Sequence, residues 1–443
     1  TEELMKQQQE PNSMEQLALL PQLTLSDLTP KADFHTVMPT EMFGRQVLVS
    51  ELTTNHISYI DVGFDLTCIP PELLPLLDIF GCIITEIGTE RLNYQKFAKE
   101  IATCTGSFSH SLTTYTNRHH PETTQPVFWL HLKCLPDYLE QALQLLAEIF
   151  TSVSFADRAR IREIVGREFA WAEHSVQSEG YSLPATRVFA HLSAAGRYSE
   201  MFSGVTSYQT TKDLALNYDQ EEERFLVTLS KMAKLLFNKK NLLLSITADN
   251  RELDTFSTLG SCIVDGLGDA QPENFVMPEL QFADHEAFIT SAEVVFAVQG
   301  GNLLKNGTGY NGHFEVLKTY LARDYLWNSV RQMGGAYGCF IQFGQTSGNL
   351  AYISYRDPQV KKTYDAYNDV PSIVERLDLP QKIMEQLIIG TYGKFDPLQS
   401  PAGKGATARN DYLNGIDVEF KQQRLAEIIA TSSADLRSFA PAF

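Results

Sequence analysis

No stretch of this chain is apolar for long enough to cross a bilayer as a helix. Its first residues show no basic segment followed by an apolar one, so no export signal is visible. Basic side chains are scarce: 36 Lys and Arg against 54 Asp and Glu give a formal net charge of −18. That balance argues against a nucleic-acid partner and against an anionic membrane. Six cysteines (Cys68, Cys82, Cys104, Cys134, Cys262 and Cys339) stand singly, with no Cys-x-x-Cys spacing. Zinc-ribbon and thioredoxin readings fail on that spacing, and reduced, buried thiols are expected. No Gly-x-Ser-x-Gly elbow occurs. No His-Glu-x-x-His occurs either: His285-Glu-Ala-Phe-Ile fails at its last position, and Ala170-Trp-Ala-Glu173-His174 has Ala where an inverted zinc motif needs its first ligand. A tetrahedral hydrolytic site needs three protein ligands, so no metal ligands are expected here. His119-His120 is followed by Pro and reads as a solvated loop pair.

What is present is a globular composition, 43% hydrophobic and 20% charged over 443 residues, enough for two domains. Residues 1–34 read as an arm, with short helices at 1–10 and 13–20 broken by Pro11-Asn12. Alternation predicts a strand over 56–66, and Pro70-Pro71 ends it before an apolar helix over 72–87. A helix over 93–103, strands over 106–115 and 127–135, and a helix over 136–153 follow. A long helical stretch, 156–237, then leads to a strand at 241–247. Turn residues without periodicity mark a linker beginning at Asp265-Gly-Leu-Gly.

Beyond the linker the order recurs: a strand over 292–298, an amphipathic helix over 313–330, a hairpin (336–343 with 350–355), then Pro358 and further helices. In both units a glycine-led hairpin is followed by Pro and a helix, which is the pattern of a duplicated α+β domain. The expected division is an arm (1–34), a first domain (35–265), a linker (266–282) and a second domain (283–443). The first unit closes with the strand at 241–247, and the second shows no matching strand after the helix at 418–430, so its sheet is expected to lack its last strand. The start at Thr1 rather than Met, with the abrupt end, suggests an excised piece of a longer protein.

Gly307-Thr-Gly-Tyr-Asn-Gly312 satisfies G-x-G-x-x-G. A dinucleotide site needs that pattern directly at a strand end, with an acid closing the next strand, and both are missing, so it reads as a loop and helix cap. Most of the chemical signal lies in Arg331-Gln-Met-Gly334-Gly335-Ala-Tyr337-Gly-Cys-Phe. Arg at the end of a helix and Tyr entering a strand flank a double glycine, which permits a sharp turn and close approach of another chain. Such a pair can cap a helix and pack in a sheet. It can also donate to peptide carbonyls, with the phenol beside a developing oxyanion.

At this motif the chain resembles a known family. Asp324-Tyr-Leu-Trp-Asn-Ser-Val-Arg331-Gln-Met-Gly-Gly-Ala-Tyr337-Gly is similar to the C-terminal half of presequence-protease-like zinc peptidases, of the inverted-motif pitrilysin/insulinase group. Leu23-Thr-Leu-Ser-Asp-Leu and Ser400-Pro-Ala-Gly-Lys-Gly-Ala with Tyr412-Leu-Asn-Gly carry the likeness to both ends. The resemblance implies two homologous LuxS/MPP-like α+β domains, each a mainly antiparallel sheet with helices on one face. It implies a clamshell whose zinc ligands and catalytic Glu belong to an N-terminal half, the partner of this one, with unfolded peptides as substrate. Arg331, Gly334, Gly335 and Tyr337 are then substrate-binding residues, with Tyr337 near the scissile carbonyl in a catalytic role. No zinc ligands are expected in this chain, and the chain alone is expected to be inactive. The resemblance places it in a bacterial cytoplasm or an organelle matrix. The same clan contains inactive scaffold subunits, which is the competing reading.

Overall fold

The computed structural model describes residues 2–443 except 14, 17 and 18. The arm helix forms over Glu2–Gln9; the second expected one, 13–20, falls largely outside the described residues.

A six-stranded sheet, ordered β1-β2-β6-β3-β5-β4, organises the first domain. Its strands are β1 (Met38–Met42), β2 (Arg45–Glu51), β3 (Ser58–Asp65), β4 (Ser107–Asn117), β5 (His120–Cys134) and β6 (Leu242–Ala248). All pairs are antiparallel except β2 with β6. The β1–β2 hairpin has no counterpart in the sequence reading. Its two-residue turn places Phe43 and Gly44 at φ 57° and 67°, the left-handed pair that matches strand twist in a tight hairpin.

The apolar face of this sheet packs on helices. Val62, Phe64, Leu130, Leu132 and Ile246 meet Leu77, Phe80 and Ile84 of the helix Leu77–Ile84, Leu143 and Leu146 of Leu139–Ser152, and Leu229 and Leu236 of Tyr218–Leu236. The expected helix over 72–87 is shorter, because Pro71 and Pro75 hold its first turns in a 3-10 form over Pro71–Leu76. The hairpin loop expected over 117–125 is a two-residue turn, and β5 runs on to His120. The second domain clasps the hairpin tip: Arg118 N donates to Asn414 O at 2.8 Å, and its guanidinium lies 4.4 Å over the Phe420 ring.

Three strands build the second sheet, β7 (Val298–Asn302), β8 (Gly338–Phe343) and β9 (Asn349–Tyr355), in the order β7-β9-β8. That order repeats β3-β5-β4. The hairpin forms where expected. The first strand does not: it lies at 298–302 rather than 292–298, leaving only an isolated bridge from Val295 to Asp357. Glycine misled the alternation rule at Gly300, where a Cβ would sit 2.4 Å from Leu350 O and 2.8 Å from a Val188 methyl. Close approach of three elements, not weak strand propensity, puts glycine there. Phe314, Leu317, Val370, Leu387 and Leu425 fill this domain's core.

Each domain also lends a helix to the other's sheet. Ala185 on Ser182–Leu192 packs against Val298, Ala351 and Ile353. In return, Pro401–Leu413 lays Ala408 on Val37 and Leu48, and Leu413 against Tyr115, Val127 and Trp129. Polar contacts fix that second junction. Trp129 Nε1 donates to Tyr115 Oη at 3.0 Å, and Tyr115 donates to Asn410 Oδ1 at 3.1 Å. Arg409 stacks 4.4 Å over Trp129 and pairs with Asp61, whose other oxygen meets His131 Nδ1 at 2.6 Å. A second buried cation, Arg187, bonds Glu200 and Glu286, each at 3.2 Å, and holds Phe282 3.6 Å beneath its guanidinium. The 266–297 segment thus lies against the first domain, although it carries no helix or strand.

Candidate functional site

The helix expected over 313–330 begins as an α-helix, Gly312–Tyr320. It then widens into π turns over Leu321–Tyr325 and Trp327–Gln332. The amide of Met333 reaches back five residues to Asn328 O at 2.9 Å, the mark of a π turn and a frequent companion of functional sites. The extra residue per turn re-aims Trp327 and Arg331, which then stack, with the guanidinium carbon 3.8 Å from the indole. Sequence reasoning quoted Trp327 without giving it a role. Its position four residues before Arg331 was the available signal.

The double glycine closes the helix. Gly335 adopts φ 82°, a left-handed cap that glycine takes without strain. Its amide donates to Arg331 O at 2.9 Å, and Ala336 N donates to Val330 O at 3.1 Å. Gly334 is constrained differently: a Cβ there would stand 2.4 Å from Val330 O. Gln359 Nε2 donates to Gly334 O at 2.9 Å and pins the turn from outside. The chain then enters β8 at Gly338, with Tyr337 N donating to Tyr355 O at 3.0 Å.

Arg331 Nε donates to Tyr337 O at 2.9 Å. Among the described residues, no hydrogen bond or ion pair engages its two Nη groups or the Tyr337 hydroxyl. Tyr337 is 69% exposed, its ring held edge-on to Tyr355 at 5.7 Å between centroids. Met333, next to the glycines, is 74% exposed. Around one fixed turn the structure therefore presents a cation, a phenol, an indole and a thioether. The adjoining Cys339 is buried, and desolvation, partly offset by Arg331, pushes its thiol up to about 11. It is no nucleophile at neutral pH.

The other motifs resolve to structure. Asn311 caps the Gly312–Tyr320 helix, accepting from Phe314 N at 3.3 Å, and Glu427 takes the Gly312 amide at 2.6 Å. A phosphate would find that helix end occupied. Tyr310 donates to the buried Glu315 at 2.9 Å. Trp171, Glu173 and His174 are exposed on the helix Arg158–Glu179. No helix among the described residues is long and apolar enough to cross a membrane.

Two family profiles match the chain. One describes the associated domain of the M16 peptidases, subfamily C, and covers residues 1–214; the other, "PreP C-terminal domain", covers residues 285–442. The chain is 30% identical to Protein HypA of Clostridium perfringens across 99% of its own length and 45% of that protein's. To presequence protease 1 of Arabidopsis thaliana it is again 30% identical, across 100% of this chain and 41% of that one. It spans less than half of either relative. Among solved structures, a conserved protein of Enterococcus faecalis superposes with a TM-score of 0.65 at 14% identity, covering 92% of this chain and 96% of that one. A Pseudomonas fluorescens structure described as a peptidase M16 inactive domain gives 0.60 at 12% identity, covering 91% and 93%.

The duplicated α+β architecture is thus that of a half of an M16-type peptidase. Within that class the chain belongs to the presequence-protease-like group, and it corresponds to the C-terminal half.

Proposed function

We propose that this chain is the non-catalytic half of a zinc-dependent endopeptidase that degrades oligopeptides, and that it forms the substrate-binding wall of a closed chamber. The observation that carries the reading is unspent donor capacity. Two Nη groups of Arg331 and the hydroxyl of an exposed Tyr337 have no structural use among the described residues, yet the π turns, the Trp327 stack and the glycine cap hold both residues in place. Arg331 binds carbonyls of an extended peptide, and the glycines let its backbone come close. The Tyr337 hydroxyl donates to the scissile carbonyl oxygen as negative charge gathers there, an interaction strongest in the transition state.

The zinc that the family implies does not fit beside this pair. Among the described residues the one group with metal-ligand spacing is His56, Asp249 and Glu252, on the first domain. The hydrolytic zinc is therefore assigned to the N-terminal half, which completes the site on closure.

Combining this chain with the N-terminal half of a presequence-protease-type peptidase tests the reading. Zinc-dependent cleavage of an unfolded peptide is expected from the pair and none from this chain alone. Tyr337→Phe in the pair is expected to lower kcat by about a hundredfold with little change in KM. An unchanged kcat removes the oxyanion role. Two halves that associate without cleaving point to an inactive scaffold instead.

A further inference from the structure

The loop between β2 and β3 and the helix Asn250–Leu259 that follows β6 bring three metal-ligating side chains together, far in sequence from the Arg331 turn. His56, Asp249 and Glu252 each offer one ligand atom, all within 4.8 Å of one another. Asp249 organises the loop. Its Oδ2 accepts from His56 N at 2.7 Å, Thr54 Oγ1 at 2.8 Å and Thr54 N at 3.2 Å, which leaves Oδ1 uncommitted among the described residues. Those same donors, the His56 amide first, hold the Asp249 carboxyl below the usual carboxylate range, so it is present as the anion a metal requires.

Glu252 is the anomaly. It is 2% exposed, and its Oε2 is buried with no hydrogen-bond partner. Its one ion pair among the described residues is with His56, Nδ1 to Oε1 at 3.2 Å. Leaving a carboxylate oxygen buried and unpaired carries a desolvation penalty that such an arrangement does not recover. A divalent cation between the two carboxylates would satisfy it, and the His56 side chain, 66% exposed at the mouth, gives the ion a path from solvent.

We propose that His56, Asp249 and Glu252 form a zinc site, separate from the hydrolytic metal, that clips the β2–β3 loop to the helix Asn250–Leu259. One imidazole nitrogen and two carboxylate oxygens are a zinc-compatible set, with water completing a tetrahedron. Bond lengths of about 2.0–2.2 Å require the three atoms to draw somewhat closer than they lie here. His56 supplies that movement, being on a loop and largely exposed. Binding displaces the His56–Glu252 contact: Glu252 gives its oxygens to the ion and the neutral imidazole gives a nitrogen lone pair. The site is structural in kind, since the ion ties together two segments 193 residues apart.

Chelator-treated 443-residue chain, titrated with zinc chloride by calorimetry, is expected to take up one equivalent at micromolar or tighter affinity, with a saturable rise in Tm. Substituting cobalt(II) is expected to give the visible absorption of a tetrahedral N,O site. His56→Ala removes an exposed side chain and leaves the fold intact, and it should weaken zinc at least tenfold and abolish the Tm rise. Glu252→Gln should do the same while keeping side-chain shape. Two results overturn the proposal: no stoichiometric uptake by the wild-type chain, or His56→Ala titrating like wild type, which would place the zinc elsewhere.

Discussion

Arg331 Nε donates to the carbonyl of Tyr337 across 2.9 Å, so the cation that would bind a peptide also fixes the strand entry that carries the phenol. Lysine cannot reproduce this geometry, because an ammonium has no flat face for Trp327 and no fork of donors. In the paired-halves assay Arg331→Lys should raise the KM for an unfolded peptide about tenfold, as loss of one charge-assisted hydrogen bond implies. It should also quicken proteolytic nicking of this chain at the glycines. A KM equal to wild type would leave Arg331 as a cap alone.

The two glycines should respond differently to alanine. Gly335→Ala imposes a left-handed conformation on a residue with a Cβ, costing about 1–2 kcal/mol. Gly334→Ala drives a methyl to 2.4 Å from Val330 O, and since that oxygen is backbone the turn itself must open. Urea denaturation should therefore rank Gly334→Ala as the more destabilising. The reverse order would mean the turn relaxes freely.

This motif was legible because its chemistry is local. Glycine, arginine and tyrosine within seven residues already specify a turn with donors on either side. The π turns were not legible, since a widened helix keeps an apolar period close to the ordinary one over so short a span. The β1–β2 hairpin was missed although Gly44 stands between two alternating runs. The strand at 298–302 was displaced because Gly300 answers to Val188 and Leu350, partners distant in sequence. The exchange of helices between domains had no sequence signal, because Arg409 and Asp61 are 348 residues apart.

That distant pair carries its own prediction. Arg409 is 5% exposed and lies between Trp129 and Asp61. Arg409→Ala leaves Asp61 with His131 alone and should cost about 3–5 kcal/mol, the usual result of removing one partner of a buried pair. Because the junction joins two separate cores, calorimetry should show the single transition splitting in two. Combining Arg409→Met with Asp61→Asn removes both charges and should recover much of the loss. Full independence of the two substitutions would deny that they form one contact.

Acid stability should depend on Glu86. Burial alone would raise its pKa, but Arg167 and Arg160 outweigh burial and the net shift is downward from 4.5. Its partners lie at 2.6 Å and 2.8 Å. A carboxylate depressed in the folded state adds stability that is fully present above its unfolded pKa and is lost as pH falls through the folded one. The contribution of Glu86 should thus be complete above about pH 4.5 and fade below it. Glu86→Gln should lower Tm at pH 7 and lose less between pH 5 and pH 3 than wild type. Parallel curves for the two proteins across that range would rule this out.

Thiol reactivity should report on the site from within. Desolvation is the largest cause of the upward shift at every cysteine, to about 12 at Cys68 and Cys134 and about 11 at Cys339. At pH 8 the thiolate fraction of Cys339 is then on the order of one in a thousand, and its sulfur is buried as well. Iodoacetamide should label the native chain slowly, beginning at the half-buried Cys82 and Cys262, whereas all six react in urea. Cys339 differs in one respect: Arg331 is the charge that lowers its pKa. Arg331→Ala should therefore slow Cys339 alkylation if the turn stays closed, and speed it if loss of the Arg331–Tyr337 hydrogen bond lets β8 open. Mass-spectrometric rates at Cys339, with Cys134 as internal reference, separate the two effects. A rise at Cys339 alone would show that Arg331 holds the strand in place, and a fall would show that it acts on the thiol only through its charge.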